Sequence, residues 1–182
     1  MARTERWTIA MLERGGGPDG RWELIDGEIV PMTPVGSRAS ATNLTVGGLI
    51  GDHVWPHRHG ELYGADLGAV PFLDRETIRV PSGAFLRSER VPPRDAQDGF
   101  LREVPDLVWE MTSPFADSGE VGAKTAMWLD AGVRLVWVDD PEARTVGVHA
   151  PDRPVATRGE GDDLDGDEVV PGFRVPVVDL FR

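Results

Sequence analysis

Glu110 interrupts the apolar run Leu107, Val108, Trp109 and Met111 inside the segment VPDLVWEMTSP. An ionised carboxylate taken out of water without a partner costs several kcal/mol, so a strand holds one only where something compensates. Three compensations are open: solvent at the strand end, an ion pair, or a metal ion. Glu28 directly follows the dipeptide Asp26-Gly27, and Lys124, the one lysine beside eighteen arginines, lies in the segment after Glu110. Two carboxylates and a lysine at strand ends form a kit for phosphoryl chemistry. The acids hold Mg²⁺ (or Mn²⁺), and the ammonium steadies an attacking water and the charge developing on phosphorus.

The elements that must position these groups follow from periodicity and turn chemistry. A short amphipathic helix over Thr4 to Glu13 is closed by Gly15 to Gly17. Asp26-Gly27 supplies the positive dihedrals of a tight hairpin between the runs of RWELIDGEIVPM. Ser37 to Val54 reads as a helix with Val46, Leu49, Ile50 and His53 on one face. The stretch Glu61 to Phe85 is strand-like, and Arg87 to Leu101 is a polar loop. Asp117 with Glu120 three residues on matches a capping box that starts a helix, and Gly132 is placed to end it. On that helix Lys124 lies about 60° from the inward-facing Val121, at roughly 100° per residue, so it can point back to the strand carrying Glu110. VRLVWVDD and TVGVHA complete a set of buried strands. The alternation of helices and strands predicts an α/β (α+β) fold, a central mixed sheet flanked by helices.

At 182 residues, 40% hydrophobic and without cysteine, the chain is expected to form one domain over 1–182, with 1–20 an N-terminal helix and linker and 159–168 an acidic loop. Cysteine-ligated zinc and iron-sulfur sites are excluded. The apolar stretch near the N-terminus is too short for a signal peptide or a membrane span, which predicts a cytoplasmic protein with no membrane partner. The net charge of −12 argues against a general nucleic-acid coat, although six of the acids sit in Gly159 to Glu168.

The blocks ELIDGEIVPMTP, RVPSGAFLRSERVP, VPDLVWEMTSP, KTAMWLDAGVRLVWVDDPEARTVGVH and PGFRVPVVDLF resemble, in order and spacing, the Uma-two family of restriction endonucleases of bacteria. The resemblance runs from about Arg21 to Phe181 and implies the restriction-endonuclease-like PD-(D/E)XK fold, a Mg²⁺-dependent phosphodiesterase core and DNA as partner. It places the family's acids on Glu28 and Glu110 as metal ligands. The lysine, displaced from its usual place two residues after the second acid, falls on Lys124. Where related sequences read Pro-Asp, this one reads Pro81-Ser82, and serine is neutral and a weak metal ligand. Impaired cleavage is therefore one expectation; a catalytically inactive relative that binds nucleic acid or protein is the alternative. A homodimer would present two symmetric sites to a duplex.

Other candidates have plainer readings. Pro105-Asp106 spells half of the nuclease signature, but Asp106 shares a strand with Glu110, so a turn or strand-entry role is expected. In HVWPHRH, Pro56 is expected to break the spacing that would put His53 and His57 on one face. Trp109, Trp128 and Trp137 read as core. Arg79, Arg87, Arg90 and Arg94 flank Ser82 in sequence and could meet phosphates or pair with acids.

Overall fold

The computed structural model describes residues 6–112 and 118–182. Its centre is a six-stranded sheet in the order β3 (Gly60–Tyr63), β4 (Gly83–Arg87), β5 (Leu107–Met111), β6 (Leu135–Asp140), β7 (Thr145–His149) and β8 (Ala156–Arg158). Every neighbouring pair is antiparallel except β5 and β6, which run parallel with Glu110 beside Val138. A parallel pair needs a crossover, and α3 (Ser118–Asp130) provides it. Gly132, at φ 101°, follows the end of that helix in the left-handed region that suits glycine. The expected helix-starting residue Asp117 lies outside the described residues, as do the first two residues of the expected Thr4 to Glu13 helix; α1 runs Ile9–Glu13 with Thr8 as its N-cap.

Strand alternation divides the core in two. Leu107, Trp109 and Met111 face α2 (Ser37–His57), whose Ala39, Val46, Ile50 and Val54 cover that side together with Phe173, Val177 and Leu180. Val108 and Val136 face the opposite way and pack with Trp128 of α3. Glu110 alternates with Trp109 and Met111 and so projects toward α3. The sheet thereby commits the acid to the helix that carries Lys124.

A separate hairpin, β1 (Trp22–Ile25) with β2 (Glu28–Pro31), turns through Asp26 at φ 49° and Gly27 at φ 84°. Both central residues have the positive φ of a two-residue primed turn, as the Asp-Gly dipeptide predicts. Paired amide and carbonyl groups of Leu24 and Ile78 fasten this hairpin to the chain entering β4.

Three expectations differ from the structure. The strand-like region Glu61 to Phe85 contains only β3 and the start of β4, joined by isolated bridges such as Ala69 with Arg79. Gly, Pro and Asp there interrupt any continuous ladder. The acidic segment 159–168 is more than a loop: Asp163–Asp165 forms β9, antiparallel to β10 (Arg174–Pro176), with Leu164 buried and Arg174 paired to both aspartates. Finally, α2 continues through Pro56 to His57.

Candidate active site

Glu110, on β5, is 7% exposed, and each of its carboxyl oxygens has a partner. The Trp128 indole donates to Oε1 at 2.9 Å, and the Lys124 ammonium lies 3.1 Å from Oε1 and 3.3 Å from Oε2. Trp128 and Lys124 are four residues apart on α3, hence on one helical face. The expected meeting of strand acid and helix lysine is therefore present.

The second acid at this point is Glu23. Glu28 begins β2 at its exposed end, and it does not line the cleft. Glu23 and Glu28 both point from the same hairpin, but Glu23 pairs with Val30 in mid-strand while Glu28 pairs with Ile25 beside the turn. Two strand positions separate them, roughly 7 Å along the strand. Glu23 is 5% exposed. Its Oε1 accepts the Val80 amide at 2.8 Å and lies 3.1 Å from Lys124 Nζ; its Oε2 lies 3.0 Å from Arg79 Nε in an ion pair that lacks the direction of a good hydrogen bond. Lys124 completes its set by donating to the Val80 carbonyl at 2.7 Å. The result is a buried, charge-balanced cluster of Glu23, Glu110, Lys124 and Arg79.

Ser82 stands beside it at the start of β4. Its hydroxyl oxygen accepts the Met111 amide at 2.9 Å, and its carbonyl accepts the Asn43 side-chain amide at 3.0 Å. Asn43 in turn accepts the Trp109 indole N–H at 2.7 Å, a chain of bonds that ties α2 to β4 and β5. Asn43 was not a candidate from sequence, although a polar residue on the inward α2 face, three before Val46 and seven before Ile50, is a usable signal.

Glu23, Glu110, Lys124, Ser82 and Asn43 line a cleft of ≈ 350 Å³ between the hairpin, the Val80-Pro81-Ser82 segment and α3. One wall is apolar, from Val30, Pro31, Met32 and Val35; Arg21 and Glu120 also contribute. The available donors are the oxygens of Glu23, Glu110, Val80 and Ser82, hard ligands suited to Mg²⁺, which one or two carboxylates can hold when waters and substrate supply the rest. Among the described residues no group of three or more His, Cys, Asp or Glu is arranged to hold a metal ion.

The remaining candidates fall elsewhere. Asp106 is fully buried and accepts the Arg87 amide at 3.0 Å and Arg90 Nη1 at 2.8 Å, a strand-entry role. Arg79 joins the cluster; Arg87 and Arg90 serve Asp106, just before β5 and four residues ahead of Glu110. His53, His57 and His59 come together with ring centroids 5.1 to 5.4 Å apart, because the helix holds its pitch through Pro56 and the left-handed Arg58, at φ 52°, turns His59 back. Pro56 lacks only a donor bond in the last turn, so the expected break does not occur. Their partners are structural: His53 meets the Pro171 carbonyl at 2.9 Å, and His57 that of His53 at 2.8 Å.

A six-stranded mixed sheet with helices packed on both faces is the architecture of a nuclease-like fold. Residues 8–178 match the Uma2 family, described as "Putative restriction endonuclease", and the chain belongs to that family. Among solved structures it is similar to "a putative nuclease belonging to DUF820" from Anabaena variabilis, with a TM-score of 0.81 and 20% identity over 96% of this chain and 97% of that one. No curated protein matches the chain. Among the described residues no helix is long and apolar enough to cross a membrane.

Proposed function

We propose that the chain is a Mg²⁺-dependent DNA endonuclease of reduced activity, hydrolysing phosphodiester bonds at the Glu23–Glu110–Lys124 cleft. The observation that carries this reading is the convergence of two buried acids and the only lysine beside Ser82, within one cleft. Glu23 takes the role that sequence alone gave to Glu28. A Mg²⁺ or Mn²⁺ ion held by Glu23 and Glu110 would polarise the phosphate and lower the pKa of a bound water. The protein's own groups set the stage. Trp128 fixes the rotamer of Glu110, the Val80 amide fixes Glu23, and the Lys124 ammonium offers positive charge where the phosphorane oxygens gain negative charge. Ser82 supplies a hydroxyl whose proton is free to donate to a water, since its oxygen already accepts from Met111. It brings no negative charge, and this is the reason for the reduced rate.

The second reading is a catalytically inactive relative that keeps the fold as a nucleic-acid or protein binding module. It is favoured by Ser82 and by the charge balance of the cluster, in which Arg79 and Lys124 already neutralise both acids. Plasmid nicking decides between them. Slow nicking by the wild type with Mg²⁺ or Mn²⁺, abolished in Glu110→Ala and accelerated at least tenfold in Ser82→Asp, supports the enzyme. An inert wild type whose Ser82→Asp variant cleaves supports the inactive relative.

A further inference from the structure

We propose that Lys124 is a resident counterion that competes with divalent cations for the Glu23–Glu110 pair, and that Glu120 receives its ammonium when a cation enters. The inference rests on the metal-site reading above and adds to it how the site admits an ion.

Three observations converge. First, the Lys124 nitrogen lies where the oxygen donors meet: 3.1 Å from Glu23 Oε1, 3.1 Å from Glu110 Oε1 and 2.7 Å from the Val80 carbonyl. An ammonium has three protons and no acceptor, and here it has three acceptor groups. These are the same hard oxygens that would hold Mg²⁺, so a divalent cation seated where they converge would take the place of the ammonium. Second, the acids are neutralised without a further ion, because Arg79 is paired to Glu23 and Ser82 adds no charge. A divalent cation arriving beside Lys124 and Arg79 meets two positive charges in a buried site, where screening is weak. Third, an alternative anchor lies one helical turn away. Glu120 lines the same cleft, is exposed, and has no ion pair among the described residues. A glutamate four residues before a lysine is the favourable order for such a pair on a helix. The lysine stem can rotate its ammonium to Glu120 while its attachment to α3 stays fixed, and because Glu120 lines the same cleft the ammonium still faces the phosphate in the metal-loaded state.

Because Lys124 is the chain's only lysine, isotope-labelled lysine gives one side-chain signal. Full-length protein without DNA would be titrated with Mg²⁺ and followed by NMR, and Mn²⁺ affinity measured by electron paramagnetic resonance. The expected result is a saturable change of the Lys124 signal toward a more mobile side chain. Lys124→Gln should bind Mn²⁺ at least tenfold more tightly than wild type. Glu120→Gln should weaken Mn²⁺ binding several-fold in the wild-type background and leave it unchanged in Lys124→Gln. Lys124→Met repeats the first variant with a fully apolar stem, and circular dichroism melts confirm folding of each. Mn²⁺ affinity equal or lower in both folded Lys124 variants overturns the proposal, as does a Lys124 signal indifferent to Mg²⁺ at saturating concentration. If neither lysine variant folds, unchanged Mn²⁺ affinity in the exposed Glu120→Gln variant overturns it. Wild-type binding of Mn²⁺ together with absent plasmid nicking would leave this inference standing and remove the enzymatic reading instead.

Discussion

Asp139 sits on the α2 face of β6, wholly buried between Met111 and Val146 in the sheet register, and neither carboxyl oxygen has a hydrogen-bond partner among the described residues. Burial without compensation pushes its pKa from 3.8 up to about 8. The folded state therefore holds a proton that the unfolded chain releases near pH 4. The stability associated with that proton is full below the unfolded pKa and is lost as pH rises toward about 8. The slope can reach about 1.4 kcal/mol per pH unit for one group. Asp139→Asn removes the titration at almost constant shape. In urea melts the variant should gain on the wild type between pH 5 and pH 8, by about 2 kcal/mol or more. A difference between the two proteins that does not change with pH would contradict this account of Asp139. The contrast with Glu110 is instructive, since both acids are buried in neighbouring parallel strands; Glu110 faces α3, where Lys124 and Trp128 serve it, and Asp139 faces apolar α2.

At the scale of elements, the close packing of β4 on β5 fixes the site's geometry. A Cβ placed on Gly83 would lie 2.0 Å from the Trp109 indole, so the strand tolerates no side chain there while that ring keeps its bond to Asn43. Gly83→Ala must displace the indole and break the Trp109–Asn43–Ser82 chain. Overpacking of this kind costs about 1 to 3 kcal/mol, and the broken bonds add to it. The urea midpoint should fall accordingly, with a changed tryptophan emission spectrum; an unchanged midpoint would show that β4 yields easily. The elements themselves were largely legible: the Asp-Gly turn, the three helices, and the strands around Glu110 and Trp137 follow from local pattern. The partner of Lys124 was less so. RWELIDGEIV offers two glutamates, and which one turns inward depends on how the hairpin docks through Leu24 and Ile78, a pairing 54 positions apart in the chain that no local periodicity encodes. A physical cue did exist. Glu28 abuts the turn, where a hairpin end is open to water, whereas Glu23 lies mid-strand among apolar neighbours and so requires a partner. Arg79 carries the complementary requirement in RETIRVPS.

For the molecule as a whole, charge limits how it can meet DNA. The net charge is −12, and the cationic groups at the cleft are few. Lys124 is held by two acids, Arg79 is buried with Glu23, and Arg21 at the rim already approaches Asp66 at 3.3 Å. Arg144, Arg153 and Arg174 elsewhere are likewise paired with acids of the 159–168 segment. Among the described residues, ten of the eighteen arginines pair with the chain's own carboxylates and Arg21 is the arginine that lines the cleft, so few are placed to displace counterions from a phosphate held there. With about two phosphate contacts, raising salt from 50 to 200 mM weakens binding only about tenfold, against the 10³- to 10⁵-fold loss that follows from six to ten contacts. Fluorescence anisotropy of a labelled oligonucleotide across that range should give the shallow slope. A steep one would mean that the surface ion pairs open to receive DNA. A shallow slope makes the cleft itself the main source of affinity, where Lys124 and Arg79 only balance Glu23 and Glu110, so a divalent cation held by the two acids would add the net positive charge that draws a phosphate in. Adding Mg²⁺ should then strengthen oligonucleotide binding at constant ionic strength, the reverse of its effect on a protein held to DNA by lysines and arginines.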